Sequence, residues 1–99
     1  MNLAFHEEAL AEIQGAALYY AKRDPALGLR FVEAVEDAIH RITEAPTSWR
    51  IVDEDVRRCL THVFPYGVLY TLEPDHVLIV AVMHCARAPG YWKARTNRR

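Results

Sequence analysis

The sequence predicts an α+β fold in which an α-helical hairpin packs on one face of an antiparallel sheet. A short apolar stretch at the N-terminus is followed by two segments with helical periodicity. Three strand-like stretches separated by short turns come next, which is the pattern of an antiparallel meander. The 99 residues are enough for one domain with its own core, and we assign residues 1–99 to it.

The first strand and the first helix lie next to each other at the N-terminus. Residues 2–5, "NLAF", are short and largely apolar, which predicts a strand of about four residues. In residues 6–24 the period changes, with acidic residues in the first turn and basic residues in the last, which suits the helix dipole. The apolar positions of one helical stripe are Leu10, Ile13, Ala17 and Tyr20.

A second helix begins at once. Asp24 is a favourable N-cap and Pro25 suits the first helical position. Pro46 ends the helix, because the residue before a proline disfavours helical geometry. Since only a tight turn separates the two helices, they should form an antiparallel hairpin. The apolar stripe of this helix is Phe31, Val35, Ala38, Ile39 and Ile42.

The residue pattern of the second half of the chain predicts a β-sheet. We expect residues 47–55 to be a connector that contains Trp49. Strands are predicted at 56–64, 68–72 and 77–84, separated by breaks rich in proline and glycine. The last strand is apolar at both odd and even positions, as expected of a strand covered on both faces. The predicted order is β-α-α-β-β-β, followed by a short tail.

Charge is divided unevenly along the chain. Residues 1–55 contain five Lys/Arg and eleven Asp/Glu, which gives −6, and residues 56–99 contain seven and two, which gives +5. The sum is the net charge of −1. Such asymmetry indicates an acidic or polyanionic partner for the basic half. The chain is not basic enough to predict binding of duplex DNA.

Several classes of protein are disfavoured by what the sequence lacks. It has no signal peptide and no apolar run long enough to cross a membrane, so we expect a cytoplasmic protein. It has no glycine-rich phosphate loop, and we expect no cofactor. Two cysteines are too few for a disulfide framework. In a strand, Cys59 and His62 would point to opposite faces, as would His84 and Cys85, so no metal site is expected.

Cationic and aromatic residues are the remaining candidates for chemistry. Metal-free cleavage of RNA needs a base for the 2′-hydroxyl, cations around the phosphate and an acid for the leaving oxygen. A tyrosine serves as that base only if neighbouring cations lower its pKa. The alternative is that the aromatic residues complete the core and the arginines pair with carboxylates. The set is Arg57, Arg58, His62, Tyr66, His84, Arg87, Tyr91, Trp92, Lys93 and Arg95.

The tail is expected to fold back onto the domain. Pro89 and Gly90 predict a turn after the last strand, which would bury Trp92. The cationic residues should stay at the rim, since charges are costly to bury without a partner. Beside Tyr91 they would form one cationic surface made of Arg57, Arg58, Arg87 and Arg95.

The motifs of the chain and their order resemble those of a known superfamily. The segment "VRRCLTHVFPYGVLYTLEPDHVLIVAVMHCARAPGYWKAR" is similar to the C-terminal half of the RelE/ParE toxins, also called plasmid stabilisation proteins. The front half, with "HEEALAEI", "YY" and "PALGLRFVEAVEDAIHRI", is similar as well. The resemblance covers roughly residues 2–95. The order of these elements is specific to the superfamily, but it does not distinguish well between the activities found within that superfamily.

The resemblance implies the toxin of a type II toxin–antitoxin system. Such toxins are small cytoplasmic proteins neutralised by a cognate antitoxin whose flexible segment wraps around them. RelE-like members are mRNA interferases that cut mRNA on the ribosome without a metal, and ParE-like members inhibit DNA gyrase. A member that binds its antitoxin without being toxic is a third alternative. Either a homodimer or a toxin–antitoxin hetero-oligomer is compatible with the sequence.

Residue by residue, the resemblance implies two sets of site residues. If the chain is RelE-like, Arg58, Arg87 and Tyr91 are the catalytic residues. RelE-like nucleases tend to be strongly basic with several lysines, whereas this chain has only Lys22 and Lys93 and a negative net charge. We therefore favour the ParE-like alternative, a gyrase inhibitor. Its expected target-binding residues are Arg57, Arg58, His84, Arg87, Tyr91, Lys93 and Arg95.

Overall fold

The computed structural model describes residues 2–96. Two helices pack on a five-stranded sheet, so the predicted α+β class is confirmed, but the sheet is mixed rather than antiparallel as predicted. A C-terminal segment, residues 85–96, follows the last strand and ends in a 3₁₀ turn at Lys93–Thr96. The elements are β1 (Asn2–Phe5), α1 (Glu7–Arg23), α2 (Pro25–Glu44), β2 (Arg50–Asp53), β3 (Val56–Leu60), β4 (Tyr66–Leu72) and β5 (His76–His84).

The sheet has the strand order β1-β5-β4-β3-β2. Strands β2 to β5 form an antiparallel meander, and β1 pairs in parallel with β5. The parallel pair ends where Phe5 lies opposite Ile79. Within the described residues, β5 beyond Ile79 has no strand on that side.

The connector predicted over residues 47–55 is wrong in part, because it contains β2. Arg50 lies opposite Arg58 and Ile51 lies opposite Arg57, so this short segment adds a strand to the meander. Glu54, at a φ of 48°, reverses the chain between β2 and β3. β2 has only four residues, with Arg50 and Asp53 at its ends, so its sequence shows no alternation of apolar and polar residues. The strand is therefore defined only by its pairing with β3.

The helices begin and end close to their predicted positions. Asp24 Oδ1 accepts a hydrogen bond of 3.0 Å from the Ala26 N–H, which confirms the predicted N-cap. The predicted stripe of α2 is buried. In the predicted stripe of α1, Ile13, Ala17 and Tyr20 pack against the core. Only Leu10 departs from the prediction: it is 43% exposed, and Ala9 is buried in its place. Alanine fits there because α1 approaches both α2 and β5.

A bulge in β5 explains why that strand is apolar at consecutive positions. Leu69 lies opposite Ala81 and Tyr70 lies opposite Ile79, so Val80 is an extra residue in the ladder. Val80 and Ala81 therefore face the same side, in a small core away from the helices. Val77, Ile79 and Val82 belong to the main core under the helices. Both faces of β5 are thus covered, as predicted.

Neither described helix has the length and apolar composition that crossing a lipid bilayer requires.

Candidate functional site

The C-terminal segment folds back over the sheet as predicted. The Arg87 N–H donates to the His84 carbonyl at 3.0 Å, and Gly90 takes a φ of 89°, which favours glycine. These turns bring Trp92 onto the sheet, where it is only 4% exposed. It packs in the small core on the face away from the helices rather than at the end of the helix–sheet core.

Side chains take the place of a neighbouring strand along the open part of β5. The Val82 N–H donates to Glu12 Oε1 at 3.0 Å, and Arg95 Nη1 donates to the Val80 carbonyl at 3.2 Å. A carboxylate thus supplies the acceptor and a guanidinium supplies the donor that a strand would provide. These bonds protect the edge against pairing with another chain.

Glu12 is the centre of this arrangement. Arg95 donates to both carboxylate oxygens, at 2.8 and 3.1 Å, and the Tyr91 hydroxyl donates to Oε2 at 2.6 Å. The Arg87 guanidinium lies 3.6 Å from Oε2. The side chains of Glu12 and Arg95 are only 15% and 9% exposed. The charges of this buried cluster are therefore well compensated.

The cluster shifts the titration of both Glu12 and Tyr91. Burial alone would raise the pKa of the Glu12 carboxyl, but the hydrogen bonds from Arg95, Tyr91 and the Val82 N–H outweigh it and hold that pKa below its ordinary value. Burial and the hydrogen bond to Glu12 raise the pKa of Tyr91 to about 12. Tyr91 is therefore a neutral donor at physiological pH, the opposite of the state that a general base needs.

Arg57 and Arg58 lie on opposite faces of the sheet. Arg57 Nη1 donates to the carbonyls of Thr47 and Trp49, at 3.0 and 2.8 Å, and so holds the loop before β2. Arg58 faces the other side and lines a cavity of about 290 Å³ together with Trp92. Adjacent strand residues alternate between faces, so these two arginines cannot act on one ligand from the same side.

The single cationic surface expected from the sequence is thus not formed. Arg57 binds backbone carbonyls, and Arg95 is buried against Glu12 rather than lying at an exposed rim. Lys93 lies in the same cavity as Arg58, with its Nζ 3.3 Å from the Asp53 carboxylate. Glu12, which no sequence motif marks, pairs with Arg87 and Arg95 and so draws these two cations toward α1, whereas Lys93 pairs with Asp53.

A separate groove runs between α1 and the end of β5. The rings of Tyr66 and His84 meet edge to face, with centroids 5.1 Å apart. Tyr19 lines the groove from the helix side, and Arg87 also lines it. The Arg87 guanidinium lies 3.6 Å from the centroid of the Tyr91 ring, yet its side chain stays 54% exposed. His84 and Arg87 are therefore the predicted target-binding residues that share this aromatic groove.

An apolar groove lies on the outward side of the helical hairpin. It has a volume of about 370 Å³ and is lined by residues of both helices, among them Ala17, Leu18, Leu29 and Val32. Leu18 is 58% exposed and Leu29 is 69% exposed. Large apolar side chains exposed side by side are typical of a surface that another protein covers.

Among residues 2–96, no three His, Cys, Asp or Glu side chains are grouped so that they could hold a metal ion. Cys59 is buried and Cys85 is exposed, and both are free thiols. Burial raises the pKa of Cys59, against the weaker opposing effect of Arg41.

A family model matches most of the chain, and a solved structure shares its fold. The model of the family described as ParE toxin of type II toxin-antitoxin system, parDE, matches residues 3–89. No curated protein matches the chain. A solved structure titled "Chromosomal ParDE TA system from P. aeruginosa" has the same fold, with a TM-score of 0.75 and 14% identity over 85% of this chain and 95% of that one. The chain belongs to the ParE toxin family of type II toxin–antitoxin systems.

Proposed function

We propose that the chain is a ParE-like toxin that binds and inhibits DNA gyrase in the cytoplasm and is neutralised by a cognate antitoxin. Membership of the ParE family supports the toxin role. The gyrase target follows from the resemblance to the ParE-like branch, together with the low lysine content and net charge of −1. Binding such a target needs an exposed surface and no catalytic base.

The state of Tyr91 is the observation that favours binding over RNA cleavage. In the RelE-like alternative Tyr91 would take the proton from a 2′-hydroxyl. Here the Tyr91 hydroxyl keeps its own proton and donates it in a hydrogen bond to Glu12, and its pKa is raised to about 12. Arg87 is paired with the same carboxylate. Two of the three residues proposed for catalysis are thus engaged in a structural cluster.

The aromatic groove is the target surface that we favour. His84 ends β5 and Arg87 lies in the turn that follows it, and the half-exposed Arg87 side chain offers hydrogen-bond donors to a partner. Tyr19 and Tyr66 supply aromatic contact area, which is characteristic of strong binding positions in protein interfaces. Arg57 and Arg95 have internal partners and are not target contacts in this proposal.

For the antitoxin, we favour the apolar groove of the helical hairpin. The exposed Leu18 and Leu29 side chains would be covered by an apolar face of the antitoxin, whether helix or strand. This places the antitoxin and the target on different sides of α1. Neutralisation would then require the antitoxin to extend toward the aromatic groove, as a flexible segment does.

A supercoiling assay with purified gyrase tests the proposal directly. The chain should inhibit supercoiling in a dose-dependent way, and the co-expressed product of the neighbouring small gene should remove the inhibition. Cuts within ribosome-bound mRNA in a translating extract, with gyrase unaffected, would identify the nuclease alternative instead. A chain that binds the antitoxin but affects neither gyrase nor translation would be the non-toxic member.

A further inference from the structure

Two arginines lie directly across from each other on neighbouring strands. Arg50 on β2 lies directly opposite Arg58 on β3. Side chains at such positions share a face, with Cβ atoms about 5 Å apart, and like charges placed there repel. Among the described residues, neither guanidinium has an ion-pair or hydrogen-bond partner. The arginines that do have one are Arg23, Arg41, Arg57, Arg87 and Arg95.

Both side chains line one cavity of about 540 Å³, at the edge where β2 begins. Arg41 lies in its wall, but its Nε donates to Asp37 at 2.9 Å and its other nitrogens donate to Cys59 Sγ and the Leu60 carbonyl. The charge of Arg41 is thus balanced within the fold. Of the arginines lining this cavity, Arg50 and Arg58 are the two without an ion-pair partner in the part of the chain that the structure describes.

Gly67, which has no side chain, leaves space for the Arg58 side chain. A Cβ added to Gly67 on β4 would lie 2.9 Å from Arg58 Cδ and 3.0 Å from its Cγ. The absence of a side chain at Gly67 therefore lets the stem of Arg58 lie across the sheet surface. A stem that lies along the sheet limits the positions of the guanidinium, so less side-chain freedom is lost when a ligand binds.

We propose that Arg50 and Arg58 bind the phosphate group of a small ligand, of which a mononucleotide is the best match. Arginine binds phosphate oxygens through paired N–H donors and keeps its charge. A phosphate monoester carries about −1.5 to −2 at neutral pH, which balances two guanidiniums, whereas one carboxylate balances only one.

The rest of the cavity suits the base of a nucleotide. Trp49 and Leu60 form part of the lining, and Leu60 is 49% exposed, so an apolar wall lies beside the arginines. A long nucleic-acid strand fits less well, because the front half of the chain carries a charge of −6 and repels an extended polyanion.

Calorimetric titration of the whole chain at low ionic strength tests the site. The probes are inorganic phosphate and adenosine monophosphate. We expect saturable binding of both, with the mononucleotide tighter, and weakening by about tenfold or more in Arg50→Gln and in Arg58→Gln. Arg30→Gln is the matched control, since it removes the same charge from an exposed position on α2 outside the cavity; it should change affinity less than about twofold.

Thermal unfolding supplies a second readout that is independent of binding heat. Phosphate should raise the melting temperature of the wild type relative to chloride at equal ionic strength, and should raise that of Arg50→Gln less. Without phosphate, Arg50→Gln should be at least as stable as the wild type, because it removes a repulsion.

Three results would overturn the proposal. The first is the absence of both heat and stabilisation with millimolar phosphate and mononucleotide. The second is equal weakening by Arg30→Gln, which would show only a general charge effect. The third is much tighter, Arg58-dependent binding of a short single-stranded RNA or an acidic peptide, which would replace the small phosphate ligand by that partner.

Discussion

Glu12 on α1 and Arg95 in the C-terminal segment, 83 residues apart in the chain, form a bidentate ion pair with N–O distances of 2.8 and 3.1 Å. Each also bonds the backbone of β5, through the Val82 N–H and the Val80 carbonyl. One pair therefore closes the open sheet edge and fixes the C-terminal segment to the first helix.

Removing the charge of Glu12 should destabilise the fold. Glu12→Gln leaves Arg95 buried without its carboxylate, which costs about 3 kcal/mol of the free energy of unfolding by the usual measure for buried pairs. Urea unfolding gives the value. Glu8→Gln is the matched control, because Glu8 is 62% exposed and 3.6 Å from Arg95, and its loss should cost well under about 1 kcal/mol. If both variants lost the same free energy of unfolding, the Glu12–Arg95 pair would not be what fixes the C-terminal segment.

The same carboxylate predicts how stability depends on pH. Its folded-state pKa lies below the ordinary value of 4.5, so the unfolded chain binds the proton more readily than the folded one. The stabilisation is thus fully present above pH 4.5 and is lost as the pH falls through the lower, folded-state pKa. Urea unfolding from pH 7 to pH 3 should show this loss in the wild type and a smaller one in Glu12→Gln. If the free energy of unfolding fell equally with pH in both proteins, the lowered pKa of Glu12 would be contradicted.

Tyr91→Phe separates the binding toxin from the nuclease. The variant loses the hydrogen bond to Glu12 and should lose about 1.5 kcal/mol of stability, the usual size for a bond to a charged group. Growth inhibition on induction should remain, since the proposed target contacts are elsewhere. Abolished toxicity with normal folding, shown by circular dichroism and antitoxin binding, would favour a role of the phenol in catalysis.

Trp92 should be needed mainly for stability, and Arg87 mainly for toxicity. Trp92 is 4% exposed, so Trp92→Ala should cost about 3 kcal/mol or more through the cavity that it leaves. Arg87 is half-exposed, so Arg87→Ala should cost less than about 1 kcal/mol while it lowers toxicity. Melting temperature and growth inhibition measured for both variants test this division. Full toxicity of Arg87→Ala would remove the aromatic groove from the target surface.

A charge in the hairpin groove should block the antitoxin without unfolding the toxin. Leu18→Glu and Leu29→Glu place carboxylates at exposed positions, so the melting temperature should change little. Because a charge is costly to bury in an apolar contact, co-purification with the antitoxin should be lost. The exposed Leu60→Glu, on the sheet far from this groove, is the control. Retained binding in both hairpin variants would place the antitoxin elsewhere.

Local signals in the sequence were sufficient for most of the fold. The Asp24-Pro25 pair marks the junction of the helices, and the observed Asp24 cap lies there because its side chain bonds a neighbour two residues away. The doubly apolar pattern of β5 indicated a strand covered on both faces. The ordered motifs identified the superfamily. Each of these features depends on residues close together in the chain or on a repeated period.

Only the tertiary structure determined β2, the bulge and the site. β2 exists because β3 offers it a partner, and the bulge at Val80 follows from the register with β4. The role of Glu12 depends on contacts with residues 70 to 83 positions away, for which no local pattern exists. Burial and the hydrogen bond to that carboxylate make Tyr91 a neutral donor, and the ion pair with it makes Arg95 a buried partner. Strand pairing also brings Arg50 and Arg58 together, and within residues 2–96 neither guanidinium forms an ion pair.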